Sequence, residues 1–355
     1  MWKHLGNICV KHCKRVTNKE KSKFSYKEKL IMSNLSVNSP EYKKRKRLMK
    51  TKDAIENFLI SSLPVFGFLI FGAFPMIMSV VMSFFEMHDT DFSRAIFVGF
   101  DNYKNMLDFN VYGKNFLYTF LTVGIFTISV PIGLAIAVFI AYQLNKIEIA
   151  KRFFRSAFFV PAVCAVTIIV IVFKMFIDEN SGVFNQILTG LHFEPVSWLT
   201  GEPVLFSISM VIVSVWSGLG YATVLLQAAF AGVDESYEEA AKIDGASPTQ
   251  IFWKITFHAI TPTLGYLLTM RLIGALQEMG LYYQFGHGIM GTPMWTDDLY
   301  AWNTPVVYLY EMIFNNSYQY GYGIGSAAAW ILALVIFVVT RINFKLQEKW
   351  VSYDF

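Results

Sequence analysis

Charge is what this chain has least of. Asp, Glu, Lys and Arg make up only 16% of its 355 residues, against about 25% in soluble domains. A water-facing surface of ordinary density cannot be built from so few. Cysteine is also scarce, with three residues, which excludes a disulfide-stapled scaffold. Cys9 and Cys13 lie near His4 and His12, an irregular set better read as free thiols than as metal ligands. Cys164 falls in an apolar run and reads as a small packing residue. No G-x-x-x-x-G-K-[ST] loop occurs, so the chain has no phosphate cradle of its own for ATP. Histidine is confined to the tail and loops, apart from His258 at a loop end, which leaves an intramembrane hydrolase without a base at depth. Among the apolar runs Glu278 is the lone carboxylate, whereas a proton- or ion-coupled carrier would place several there.

What the chain has is hydrophobic length. Apolar residues make up 54% of it, and mean hydropathy is +0.42. Six runs, at about 58–85, 116–142, 153–177, 204–231, 262–284 and 322–344, are each long enough to cross a hydrocarbon core of about 30 Å. The expected fold is all-α: a polytopic membrane protein with six transmembrane helices and a cytoplasmic loop helix pair. Pro75 and Pro131 are expected to kink their spans. The spacing divides the chain into a basic tail (1–55), a six-span domain (56–350) containing the loop 232–261, and a short end (351–355).

Sixteen of the 30 Lys and Arg lie in residues 1–52, beside only three acids, Glu20, Glu28 and Glu41. Such a tail suits anionic lipid on the cytoplasmic side, and without aromatic interleaving it carries no nucleic-acid reading. Met32 and Met49 are alternative starts. Lys146, Lys151, Arg152 and Arg155, and later Arg341, Lys345 and Lys349, fall on the same side, while 178–203 and 285–321 contain no Lys or Arg. Both termini are therefore expected to be cytoplasmic.

The loop 232–261 reads as two short helices joined at a glycine. Ser236 with Glu239 makes a capping-box pattern for the first. Gly245 gives the permissive backbone for a turn after Asp244. Ser247, Pro248 and Gln250 fit N-cap, N1 and N3 of the second. Ile251, Phe252, Ile255 and Ala259 fall on one of its faces, and Pro262 marks entry to the fifth span. A capped pair of this kind suits docking.

Glu239-Ala240-Ala241, Asp244-Gly245-Ala246, Phe252, Ile255 and Pro262 resemble the EAA loop of ABC-importer permeases. Phe153-Phe154-Arg155 followed by Pro161, and the stretch from Tyr308 and Phe314 to Gly321–Ala327, resemble the carbohydrate-uptake group. The likeness covers about 58–350 and is strongest to the subunit type of the larger maltose-importer permease, without its extra spans and outer domain. The chain departs from that pattern at Phe257-His258, where Leu-Pro is usual, and at Gly291-Thr292-Pro293, where Gly-Gly-Pro is common.

The resemblance implies a non-catalytic permease subunit in the bacterial cell membrane, part of an ATP-driven importer for a sugar or oligosaccharide. It implies no cofactor in this chain, since ATP and magnesium would sit on two partner ATPase subunits. A second, unlike permease and an extracytoplasmic substrate-binding protein complete the implied assembly. The loop residues just named would receive the ATPase, with Glu239 and Gly245 central. An ABC permease for amino acids, phosphate or a metal chelate is the alternative, and a secondary transporter the more distant one.

For the substrate path, polar and aromatic residues in or beside spans are the candidates: Gln227, Gln277, Glu278, Trp216 and Tyr282. Trp295, Trp302 and Tyr283 also lie near spans, where belts of aromatic residues are usual. Arg271 and Glu278, seven apart, share a helix face. An unpaired arginine at that depth would cost at least about 2.5 kcal/mol, so it is expected either to face the path or to find a structural partner.

Overall fold

The computed structural model describes residues 40–147, 151–287, 289, 291–315 and 321–352. Expectations for Cys9, Cys13, His4, His12 and Met32 lie outside the described residues. The chain divides into an N-terminal unit, 1–77, and a main unit, 78–355.

The N-terminal unit carries α1 (Pro40–Phe68) and a π-helical turn at Leu69–Ala73. The next helix, α2 (Phe74–Met82), completes a candidate span over Asp53–Met82, whose most apolar stretch buries nothing within the chain. Pro75 sits in the first turn of α2, where its missing N–H costs least, and the irregularity precedes it as the π turn.

In the main unit a two-stranded hairpin, β1 (Phe85–Glu86) with β2 (Ile96–Phe97), leads to α3 (Asp101–Leu107). The second span joins α4 (Gly113–Thr127) to α5 (Ser129–Lys146), with the irregularity at Ile128 just before Pro131. The fourth is α9 (Pro203–Ala231) and the sixth α15 (Gly321–Gln347). Helix α9 is central, packing most extensively on α5 and also on α4 and the third and fifth spans. Its Gly220 permits one close crossing. A side-chain carbon there would lie 2.7 Å from the Phe158 carbonyl oxygen, so only a small residue lets the two helices touch.

The expected straight third span is instead two helices, α6 (Lys151–Val163) and α7 (Val166–Phe176), bent by 100°. Ala165 takes an extended backbone, ψ 141°, and the turn is made there. At 1.5 Å per residue neither piece exceeds about 20 Å, too short to cross alone. Counted by length and composition, the described residues hold five span-length helices, or six with this bent pair taken as one. Cys164, at the bend, is half-buried against the main core, as expected of a packing residue.

The loops are built more firmly than their composition suggested. Asn185 on α8 (Val183–Gly190) is 3% exposed and donates to the Glu179 and Val196 carbonyls, pinning the segment after the third span. Asn102 donates to the carbonyls of Ser83 and Phe85, while Tyr322 N–H donates to Met87 O, clamping the first hairpin onto the start of α15. A second hairpin, β3 (Met294–Thr296) with β4 (Leu299–Tyr300), follows Gly291, whose φ of +80° makes the turn. These hairpins are the additions to an otherwise helical fold.

At the other end, the sixth span is tied to the fifth by amides. Asn343 and Gln347 both donate to Thr269 Oγ1, at 2.9 and 2.8 Å, and Gln347 also donates to Gly265 O. Replacing Gln347 by Leu removes two of these three bonds, while Thr269 Oγ1 keeps Asn343 and Gly265 O keeps the Thr269 hydroxyl, a loss of about 1–3 kcal/mol. The Gln347→Leu variant is expected to melt below the parent in detergent, with exposed Leu346→Gln as the unchanged control. Equal melting of all three would show the amide ties to be idle.

Candidate functional site

Helix α10 (Glu235–Ile243) opens the loop after the fourth span. Its N-cap is Asp234, whose carboxylate accepts Ser236 N–H at 2.9 Å, and not the expected Ser236. A carboxylate two residues earlier outcompetes the hydroxyl because it accepts more strongly and favours the positive end of the helix. That bond holds the Asp234 carboxyl below the usual carboxylate range. The helix ends as expected at Gly245, φ +81°. Ala246 N–H donates to Ala241 O and Gly245 N–H to Lys242 O, the paired bonds of a Schellman ending.

The second loop helix also starts as read. Ser247 and Gln250 complete a reciprocal capping box, with Pro248 in the first turn. It does not stop at Pro262. From α11 (Pro248–Ile251), through a π turn at Phe252–Thr256, to α12 (Phe257–Leu276), the backbone is one continuous helix, and Pro262 lies inside it. The extra width of the π turn falls just ahead of the proline, and the Trp253 carbonyl is taken up by His258 Nδ1 at 2.8 Å. Ile251 is buried; Phe252, Ile255 and Ala259 are half-buried on the same side. Phe252 packs its ring 4.5 Å from that of Tyr142 on α5, and Thr256 donates to Glu238 at 2.9 Å, bracing α10 against the base of the fifth span.

Glu239, Ala240, Asp244 and Gly245 are exposed, and Ala241 and Ala246 are half-buried. Glu239 has no hydrogen bond or ion pair among the described residues. Beside it stand two exposed apolar side chains, Ile243 at 86% and Tyr237 at 52%. The surface is rigid underneath, with acid and apolar groups held outward.

The second place of interest is a cavity of about 330 Å³ between the second, fourth and fifth spans. Phe126, Ser129, Ser214, Ser217, Arg271 and Glu278 line it. Arg271 donates to the Gly218 carbonyl. A side-chain carbon on Gly218 would lie 2.6 Å from the guanidinium, and one on Gly133 3.0 Å from it. The arginine thus lodges in a slot that two glycines, on α9 and α5, leave open. Arg271 and Glu278 form no ion pair. Glu278 accepts Leu281 N–H at 2.8 Å, capping α13 (Gly280–Gly286) across a break in the fifth span at Gln277–Met279. The same economy holds at Lys174, whose ammonium donates to Gln284 O at 3.0 Å. Each of these three charged side chains is matched to backbone.

Of the five path candidates, Glu278 alone lines this cavity. Gln277 is exposed at the helix break. Tyr282 is fully buried against Phe126 and Phe206, its hydroxyl facing Ser207 without completing a bond of ordinary geometry. Gln227, 4% exposed on α9, has neither amide atom hydrogen-bonded. Trp216 is 40% exposed, edge-on to Phe173, and lines a separate hollow with Phe158 and Pro161. The three serines and two glycines around Arg271 carried no site signal in sequence beyond small residues within spans.

Gly218→Ala should drive the guanidinium off its carbonyl and destabilise the chain, while Gly218→Ala with Arg271→Met should recover part of the loss. A coupling of about 1–3 kcal/mol is expected in the double-mutant cycle; simple additivity would show that the slot does not hold the arginine.

Residues 129–352 match the family described as binding-protein-dependent transport system inner membrane component. A probable ABC transporter permease protein of Bacillus subtilis, YesP, is 30% identical over 90% of this chain and 99% of its own length. The arabinooligosaccharide transport permease AraP of the same organism is 29% identical over 82% of this chain and 88% of its own. The trehalose/maltose transport permease MalF of Thermococcus litoralis is 29% identical, covering 70% and 79%. Among solved structures, a chain of a bacterial ABC transporter involved in alginate import shares the fold, with a TM-score of 0.69 at 21% identity over 85% of this chain and 99% of that one.

Proposed function

The chain belongs to the family of binding-protein-dependent transport system inner membrane components, and from that premise we propose that it forms one half of the channel of an importer for a sugar or oligosaccharide. The single observation that carries the mechanism is the exposed, doubly capped loop helix pair that runs without interruption into the fifth span. Two ATPase subunits beneath the membrane would hold ATP and magnesium, and their closure would press on Glu239, Gly245 and the apolar side chains beside them.

The loop is suited to pass that push on. Its turn is locked by a Schellman ending and a capping box, and its base by Phe252 on Tyr142 and Glu238 on Thr256. A rigid displacement then reaches Arg271 with no loop in between, and meets its first break at Gln277–Met279. Movement there would alter the cavity that Glu278 and Arg271 line. Gln277 is exposed at the break without lining that cavity, and its meeting a passing substrate is part of this proposal.

The sugar reading is supported by relatives that transport arabinooligosaccharides and trehalose or maltose, and by an aromatic content of 17%. Basic residues on the loop side and their absence from 178–203 and 285–321 support cytoplasmic termini in a bacterial cell membrane. A second permease and an extracytoplasmic binding protein complete the assembly.

The test is gentle detergent purification of the tagged chain from its own cells, with mass spectrometry of its companions. An ABC ATPase and a second permease are expected with the parent chain. Glu239→Lys, at an exposed position, should reduce ATPase recovery about tenfold or more while leaving melting of the chain little changed. Gly245→Pro, which cannot take the φ of +81° and lacks the N–H that Lys242 O accepts, should lose the ATPase together with some stability. A parent chain recovered stable and alone at every salt and detergent level would overturn the importer reading.

A further inference from the structure

The far end of the fifth span carries a second cavity, of about 350 Å³, between the segment that follows α13 and the helix α14 (Pro305–Tyr310) with its π-helical extension Glu311–Asn315. Followed along α11, α12 and α13, this cavity lies at the end of the fifth span remote from the loop helix pair. It shares no lining residue with the Arg271 cavity. Its size is in the range of small-molecule sites.

Two buried acceptors on its wall lack donors. Asn303 is 5% exposed, and its Oδ1 has no hydrogen-bond partner. Glu311 accepts Asn315 Nδ2 at 2.7 Å on one oxygen, while its other oxygen is buried and unpartnered. Native structures rarely leave such groups empty-handed, and each one calls for an account. Asp298 adds a third acceptor side chain to the lining. Neither of the two unpartnered oxygens has surface open to water, so a donor reaches them only as the wall opens, while the Asp298 carboxylate is exposed. The complement is a ligand that carries O–H donors.

Another part of the wall is aromatic. Tyr300 stacks on Trp302 with ring centroids 5.5 Å apart and planes 18° from parallel. Trp302 is nearly buried, while Tyr300 is 43% exposed, so Tyr300 is backed on one face and open beyond it. Gly286 allows this arrangement, since a side-chain carbon there would overlap the Trp302 ring. Rings edged by acceptors match the C–H faces and hydroxyl rim of a pyranose or furanose. No Lys or Arg occurs between 285 and 321, so an anionic ligand would meet two carboxylates, with the His287 imidazole as the one basic side chain on the wall. Among the described residues no set of three His, Cys, Asp or Glu side chains is placed to hold a metal ion.

We propose that this cavity is an entry subsite for one uncharged sugar ring, distinct from the Arg271 cavity deeper along the same span, and that its carboxylates turn away acidic saccharides. The proposal rests on the importer reading and adds to it a second binding position and a charge preference. Sugar released at this end would be held by Tyr300, Asn303 and Glu311 before it passes to the interior.

The test uses the membrane complex recovered with the tagged chain, without its extracytoplasmic receptor. Equilibrium binding is measured with labelled arabinotriose, maltotriose and trigalacturonate, and uptake of the same sugars is followed in cells. At least one neutral trisaccharide should bind and trigalacturonate should not. Tyr300→Phe should keep the affinity within about twofold, Tyr300→Ala and Asn303→Leu should weaken it about tenfold, and Glu311→Gln should begin to admit trigalacturonate. Tyr300 is exposed, so its variants remain informative where Asn303→Leu folds poorly. If the parent imports a neutral sugar but Tyr300→Ala binds it as the parent does, the subsite is overturned and the importer reading stands. If the parent neither binds nor imports any of the three sugars, both fail together.

Discussion

Arg271 ties the fifth span of the main unit to the fourth. Its guanidinium is on the fifth span, its acceptor is a carbonyl on the fourth, and the room it needs is left by glycines on the fourth and the second. A charge at that depth is costly unless it is matched, and here the match is made with backbone rather than with a carboxylate. Glu278 and Lys174 follow the same rule, one capping a helix start and the other meeting a carbonyl near a helix end. The Glu278 bond sits at the Gln277–Met279 break itself, and the Arg271 bond in the slot between glycines. Irregular backbone inside a membrane survives only where its polar groups find partners, and at the Gln277–Met279 break Glu278 is such a partner.

That constraint explains which parts of the molecule were legible in sequence. The Ser247–Gln250 capping box and the turn at Gly245 were readable because they depend on residues within four positions of one another. The start of α10 was misplaced for a related reason. Two acceptors, Asp234 and Ser236, compete for one helix end, and their spacing alone does not rank them. The third span was read straight because an apolar run looks the same whether or not it bends; nothing in Val163-Cys164-Ala165 announces an extended residue. Pro262 suggested a boundary, yet the His258 carbonyl it deprives of an N–H accepts the Thr261 hydroxyl at 2.7 Å, and the helix continues.

The substrate candidates show where residue type stops being informative. Polar residues within spans were sought because burial makes them expensive, and this led to Glu278 beside the cavity. It led equally to Gln227 and Tyr282, which lie on buried faces of their helices. Which face of an apolar helix turns inward cannot be read when all faces are apolar, as along α9. The acceptors near Asn303 and Glu311 were missed because they come together only through a hairpin and a short helix that the sequence disguised as loop.

The π turn at Phe252–Thr256 amounts to one residue more than an α-helix needs for the same rise. Each residue of a helix turns the chain by about 100°, so this single residue sets the rotational phase of the loop helix pair relative to everything beyond Pro262. With it, Phe252 meets Tyr142 while Arg271 faces its glycine slot. Without it, one of the two would point elsewhere. The loop's bearing surface and the membrane interior are thus indexed to each other by a count of residues, and an insertion or deletion between 252 and 262 would act as a change of angle at a distance.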